Sequence, residues 1–98
     1  MATAGVGRDG GGEDGRHVRV TVLVRADCPT CVRMEDVVRE VCARAGEEWA
    51  TVDVDAPGVD PEWRAEYSDV VPVTLVDGRE VASHTLSPVV LTDALGTR

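Results

Sequence analysis

Residues 18–31 read VRVTVLVRADCPTC, and the change of pattern inside this stretch decides the fold. Val18, Val20, Val22 and Val24 alternate with Arg19, Thr21, Leu23 and Arg25. A period of two built from β-branched side chains predicts a strand. Ala26, Asp27, Cys28 and Pro29 break that period as a turn. A different period then takes over. From about Thr30 to Ala45, the residues Met34, Val37, Val38, Val41, Cys42 and Ala45 recur at helical spacing and predict the buried stripe of an amphipathic helix. Pro29 stands where proline is tolerated, in the first turn, and Gly46 is a suitable stop. A strand therefore leads through a CxxC pair directly into a helix.

Upstream, Met1 to Arg16 is rich in glycine with scattered charges and almost nothing to bury, which predicts a flexible tail and leaves 17–98 as one domain. Downstream, Trp49–Val54 reads as a second strand, closed by Asp55-Ala56-Pro57-Gly58. Asp60, Pro61 and Glu62 supply an N-cap, a first-turn proline and a first-turn acid for a short helix carrying Trp63 to Tyr67. Val70–Val76 reads as a third strand interrupted near its start by Pro72. Asp77-Gly78 is a hairpin turn, Arg79–Ser83 a fourth strand, and Ser87-Pro88 opens a last helix ending near Gly96. The order is β-α-β-α-β-β-α. Helical connections predict parallel crossovers among the first three strands, with the last two as an antiparallel hairpin. An α/β domain with a mixed four-stranded sheet flanked by helices follows, in the thioredoxin topology.

Ninety-eight residues suit one domain, and Trp49, Trp63 and Tyr67 are its only aromatics. A formal charge of −8 argues against nucleic acid and against an anionic membrane surface as partners. No run of about 18 apolar residues exists to span a membrane, and the N-terminus lacks a basic-then-apolar leader, so a cytoplasmic protein is expected. Thiols are kept reduced there. Three cysteines are too few, and odd in number, for a disulfide framework, so the CxxC reads as catalytic or metal-binding. All ten cations are Arg, and Lys, Ile, Phe and Asn are missing, as in a GC-rich genome.

Cys28-Pro29-Thr30-Cys31 sets two thiols one helical turn apart, within reach of a disulfide. Cys28 precedes the helix, so unpaired backbone N–H groups and the positive end of the dipole lower its pKa below the free value of about 8.5. Cys31 lies a turn deeper. Cys28 is thus the candidate nucleophile and Cys31 the thiol that resolves its mixed disulfide. At Val71-Pro72, a proline heading a buried strand costs a ladder bond unless its geometry is special. A cis bond before proline costs only about 0.5–1 kcal/mol. A cis Val71-Pro72 bond is expected to turn the Val71 backbone toward the CxxC and offer its N–H and C=O to an extended substrate. Val71, Pro72, Pro29 and Thr30 form the candidate substrate-binding set.

On these residues the chain resembles the glutaredoxin-like branch of the thioredoxin superfamily over residues 18–95. The resemblance rests on VTVLVRADCPTC, the DVD at 53–55, VVPVTLVDG and the closing helix. Cys-Pro-x-Cys resembles the dithiol glutaredoxin motif, with Cys28 in the nucleophile position and Cys31 in the resolving one, and Val71-Pro72 falls on the family's cis-proline signature. The resemblance implies a thioredoxin-like fold and a thiol–disulfide oxidoreductase that reduces protein or mixed disulfides, with no metal or other cofactor. It implies a disulfide-containing protein as substrate and a monomeric enzyme. Electrons would come from a low-molecular-weight thiol (glutathione, or mycothiol in a GC-rich actinobacterium) or from a reductase. Three positions depart from the pattern. Ser83–Pro88 replaces the Gly-Gly-x-Asp stretch that helps glutaredoxins hold glutathione. Val22 stands where thioredoxins carry a buried acid. Asp27 stands where a basic or aromatic residue is common, and its charge opposes thiolate formation, with Arg25 or Arg33 as candidates to offset it.

The remaining chemistry-bearing residues read as structural. Cys42 lies eleven residues after Cys31, about 16 Å along the helix axis, too far to pair with it. His17 and His84 have no partner at metal-ligand spacing, although His84 closes the hairpin near the active face. Trp63 and Tyr67 share a helix face suited to packing on the sheet, and Asp53 and Asp55 suit the solvated end of a strand. Two other functions use the same scaffold: a metal or Fe–S protein, which needs a dimer or an external thiol to complete its ligands, and a non-catalytic interaction module.

Overall fold

In the computed structural model, which describes residues 18–96, β1 (Val20–Val24) leads through a short turn into α1 (Pro29–Ala45). The expected tail, Met1 to Arg16, and His17 lie outside the described residues. There follow β2 (Trp49–Asp53), α2 (Pro61–Tyr67), β3 (Val73–Val76), β4 (Arg79–Ser83) and α3 (Pro88–Gly96). The sheet order is β2-β1-β3-β4. β1 and β2 are parallel, from Val20 opposite Trp49 to Val24 opposite Asp53.

The expectation of three parallel strands is corrected at β3, which runs antiparallel to β1, with Val73 opposite Leu23 and Val76 opposite Val20. β2 ends at the Val24 end of β1, and β3 begins at that same end, so the β2–β3 connection stays at one end of the sheet instead of crossing back along it, and β3 runs antiparallel to β1. β3 also starts later than Val70. The Val70 N–H is used on the Tyr67 carbonyl at 2.9 Å, closing α2, and Pro72 has no N–H to give to a ladder.

β1 sits between β2 and β3 and is covered on both faces. Val20 and Val22 pack with Met34, Val38, Val41, Leu91 and Leu95 under α1 and α3. Leu23 faces the other way, with Val73, Leu75 and Val54, and this cluster is closed by Trp63 and Tyr67 of α2. Both faces of β1 therefore carry fully buried residues, as expected for a central strand. On α1 the buried residues are Cys31, Met34, Val38, Val41 and Cys42, and Ala45 in the last turn is exposed. Gly46 ends the helix in the left-handed region, φ 72°, and its N–H reaches the Cys42 carbonyl.

Arg19, which the alternation groups with outward residues, is buried at the far end of the sheet from the CxxC. Its guanidinium donates to Asp77 at 2.9 and 3.1 Å, to Glu47 at 2.9 Å and to the Leu95 carbonyl at 3.3 Å. One side chain thus ties together the start of β1, the β3–β4 turn, the α1–β2 loop and the end of α3.

Candidate active site

The strand-to-helix junction is built by local rules. β1 ends at Val24, and Asp27 adopts φ 56° to turn the chain. Asp tolerates this left-handed conformation better than most residues. Cys28 is then extended, φ −122° and ψ 98°, and acts as the N-cap of α1 with Pro29 in the first turn. The Cys31 N–H donates to Cys28 Sγ at 3.2 Å, and the Cys28 carbonyl accepts from Cys31 N at 3.1 Å. Cys28 and Cys31 are joined as a disulfide with their Cα atoms 5.2 Å apart. Cys28 is half-buried and Cys31 is 2% exposed, so an incoming group meets Cys28 first. Thr30 Oγ1 lies 3.6 Å from Cys28 Sγ. When the pair is reduced, the Cys31 N–H and the helix dipole favour negative charge on Cys28.

A cleft of about 460 Å³ opens beside Cys28, lined also by Pro29, Val71, Ala26, Asp27, Arg25, Asp55 and Ser68. Of the expected substrate-binding residues, Pro29 and Val71 therefore line the same cleft as Cys28. Thr30 stands against the sulfur itself. Pro72 is fully buried, and its carbonyl accepts from the His84 N–H at 2.8 Å. The Val71-Pro72 bond is cis. His84 is exposed, with φ 69°, and does not line the cleft.

Arg25, a candidate to offset Asp27, is engaged elsewhere. Its Nε donates to Asp55 Oδ2 at 2.8 Å and its Nη1 to the Ser68 carbonyl at 3.3 Å. Asp55 and Ser68 are the cleft residues that sequence reasoning missed. Asp55 follows β2 as Ala26 follows β1, and the parallel register Val24–Asp53 sets those two loops side by side. The signal was thus the strand pairing, which no local pattern contains. Arg33 stands exposed on α1. Val22 is fully buried in the apolar layer beneath α1.

Cys42 is 1% exposed and unpaired, and burial pushes its thiol up to about 12, helped by the charge of Glu47. Among the described residues no three His, Cys, Asp or Glu side chains converge to hold a metal, and no helix is long and apolar enough to cross a membrane.

Comparison with known proteins agrees with this geometry. Residues 19–96 match the family model described as glutaredoxin-like domain (DUF836). Uncharacterized proteins of Mycobacterium tuberculosis and Mycobacterium bovis are each 42% identical over 64 residues, covering 63% of this chain and 66% of theirs. The match thus spans just under two thirds of the length of these curated relatives. Among solved structures, a mutant thioredoxin from Halobacterium salinarum superposes with a TM-score of 0.53 at 23% identity, over 76% of this chain and 68% of that one. The fold is that of the thioredoxins.

Proposed function

The chain belongs to the glutaredoxin-like domain family, and from that premise we propose that Cys28 and Cys31 perform thiol–disulfide exchange on protein or mixed disulfides. The observation that supports this most directly is the asymmetry of the pair. One sulfur caps a helix N-terminus beside an open cleft, and the other lies one turn deeper and buried. In the reduced protein, the Cys28 thiolate attacks a substrate disulfide and forms a mixed disulfide. Cys31 then attacks Cys28, closes the internal disulfide and releases reduced substrate. Val71 and Pro29 border the path of an extended substrate, and Thr30 Oγ1 is close enough to exchange a hydrogen bond with the attacking sulfur. A low-molecular-weight thiol or a reductase returns the two electrons, in the cytoplasm.

The test is the thiol–disulfide midpoint of Cys28–Cys31 in a Cys42→Ser background, set by defined thiol buffers and read by alkylation and mass spectrometry. A reversible two-electron transition in the glutaredoxin range, roughly −200 to −230 mV, is expected. Cys31→Ser is expected to accumulate a mixed disulfide on Cys28, and Cys28→Ser to form none. A pair that never closes reversibly in any buffer would sink the reading.

A further inference from the structure

Three charged side chains stand around the cleft beside Cys28, and we propose that they make the site select cationic disulfides over anionic ones, with Asp27 as the main determinant. The inference rests on the thiol–disulfide reading and names the substrate class of that same site.

Arg25 is the only cation among the described residues lining the cleft, and its guanidinium is already held by Asp55 Oδ2 and the Ser68 carbonyl. A carboxylate on a substrate would have to compete with Asp55 for it. Asp27 is exposed, directly precedes Cys28, and has no ion-pair partner among the described residues. One cation against two anions leaves the lining with a net negative charge. The chain's formal charge of −8 adds a long-range field of the same sign. A disulfide bearing an ammonium or guanidinium next to the exchanged sulfur is therefore attracted, and one bearing a carboxylate there is repelled. In a protein substrate, this is a cystine flanked by Arg or Lys.

The step balances within the protein. The Cys28 thiolate bonds to one sulfur of RS–SR, the S–S bond breaks, and the first RS⁻ leaves and takes a proton from water. Cys31 gives its proton to solvent, bonds to Cys28 Sγ and expels the second RS⁻, which is protonated in turn. The dithiol is oxidised by two electrons and the substrate disulfide is reduced to two thiols.

The experiment uses the full chain, pre-reduced and freed of reductant, in single turnover at low salt. The probes are cystamine, hydroxyethyl disulfide and dithiodipropionate, which are cationic, neutral and anionic. Each rate is divided by that probe's rate with dithiothreitol, which removes intrinsic reactivity. The corrected cystamine-to-dithiodipropionate ratio is expected to be about fivefold. That is the effect of one unit charge roughly 8 Å from a substrate charge of switched sign in a water-like dielectric. It should fall toward unity at 1 M salt, where the Debye length is about 3 Å. Asp27→Asn keeps the turn, because Asn also suits the left-handed region, and should bring the ratio close to unity. Asp55→Asn should lower it as well, by releasing Arg25. A wild-type ratio within about twofold of unity, or a ratio that Asp27→Asn leaves unchanged, overturns the proposal. If the neutral probe is reduced in those cases, the thiol–disulfide reading survives alone. If none of the three probes is reduced, both readings fall.

Discussion

Met34 and Thr74 form a buried polar contact whose energetics can be predicted from four proteins. The Thr74 hydroxyl donates to Met34 Sδ at 3.0 Å, and the two residues are 0% and 2% exposed. No buried side-chain oxygen among the described residues lacks a partner, so this weak acceptor is what satisfies Thr74. Met34→Leu conserves volume, which alone costs less than about 1.5 kcal/mol, but it strands the hydroxyl, at about 1–3 kcal/mol more. Thr74→Val removes the donor and keeps the shape. The hydrogen bond it loses is worth about 0.5–1.5 kcal/mol net, offset by no longer burying a hydroxyl, so a change within about 1 kcal/mol is expected. In the double variant no polar group is stranded. The pair should therefore be less destabilised than the sum of the singles by about 1–2 kcal/mol, which is about 4–16 °C in Tm for a domain of this size. Urea unfolding followed by fluorescence of Trp49 and Trp63 measures all four proteins. Because Met34 lies on α1 one turn beyond Cys31, the same set should be run oxidised and reduced. A coupling below about 0.5 kcal/mol would refute the assignment of the hydroxyl to the sulfur.

Cys42 should resist alkylation in the folded protein and react once urea unfolds it. The native state keeps the Cys42 proton where the unfolded chain releases it, so stability should fall as pH rises from the ordinary thiol pKa of about 8.5 toward about 12. Cys42→Ala should remove that part of the slope in a pH series of urea midpoints. Arg19→Met should lower Tm and speed amide exchange at the Asp77–Gly78 turn and the end of α3, while leaving the Cys28–Cys31 midpoint unchanged, since the network sits at the other end of β1. Asp60 accepts from the Glu62 N–H at 2.9 Å as the N-cap of α2. Asp60→Ala should cost about 0.5–2 kcal/mol in a denaturant titration, and Asp60→Asn much less.

The features that sequence alone determined are those whose physics is complete within a few residues. The strand at β1, the α1 start at Cys28-Pro29 and its stop at Gly46, the Asp60-Pro61 opening of α2 and the Asp77-Gly78 turn each follow from side-chain periodicity, a capping group or a favourable backbone region. The placement of Cys28 and Cys31 belongs with them, because a thiol at a helix N-terminus and another one turn later need no distant contact to be located. What only the tertiary structure decided depends on strand register. The direction of β3 follows from which end of the sheet the β2–β3 connection occupies. The burial of Arg19 needs Glu47, Asp77 and Leu95, up to 76 residues away, to arrive at one point. Arg25 meets Asp55 because two parallel strands end level with one another. Thr74 meets Met34 across 40 residues of chain. Charge and hydrogen-bonding capacity can be read from single residues, but which partner satisfies them is settled by the packing that brings remote segments together, and that is where the character of the cleft beside Cys28 was decided.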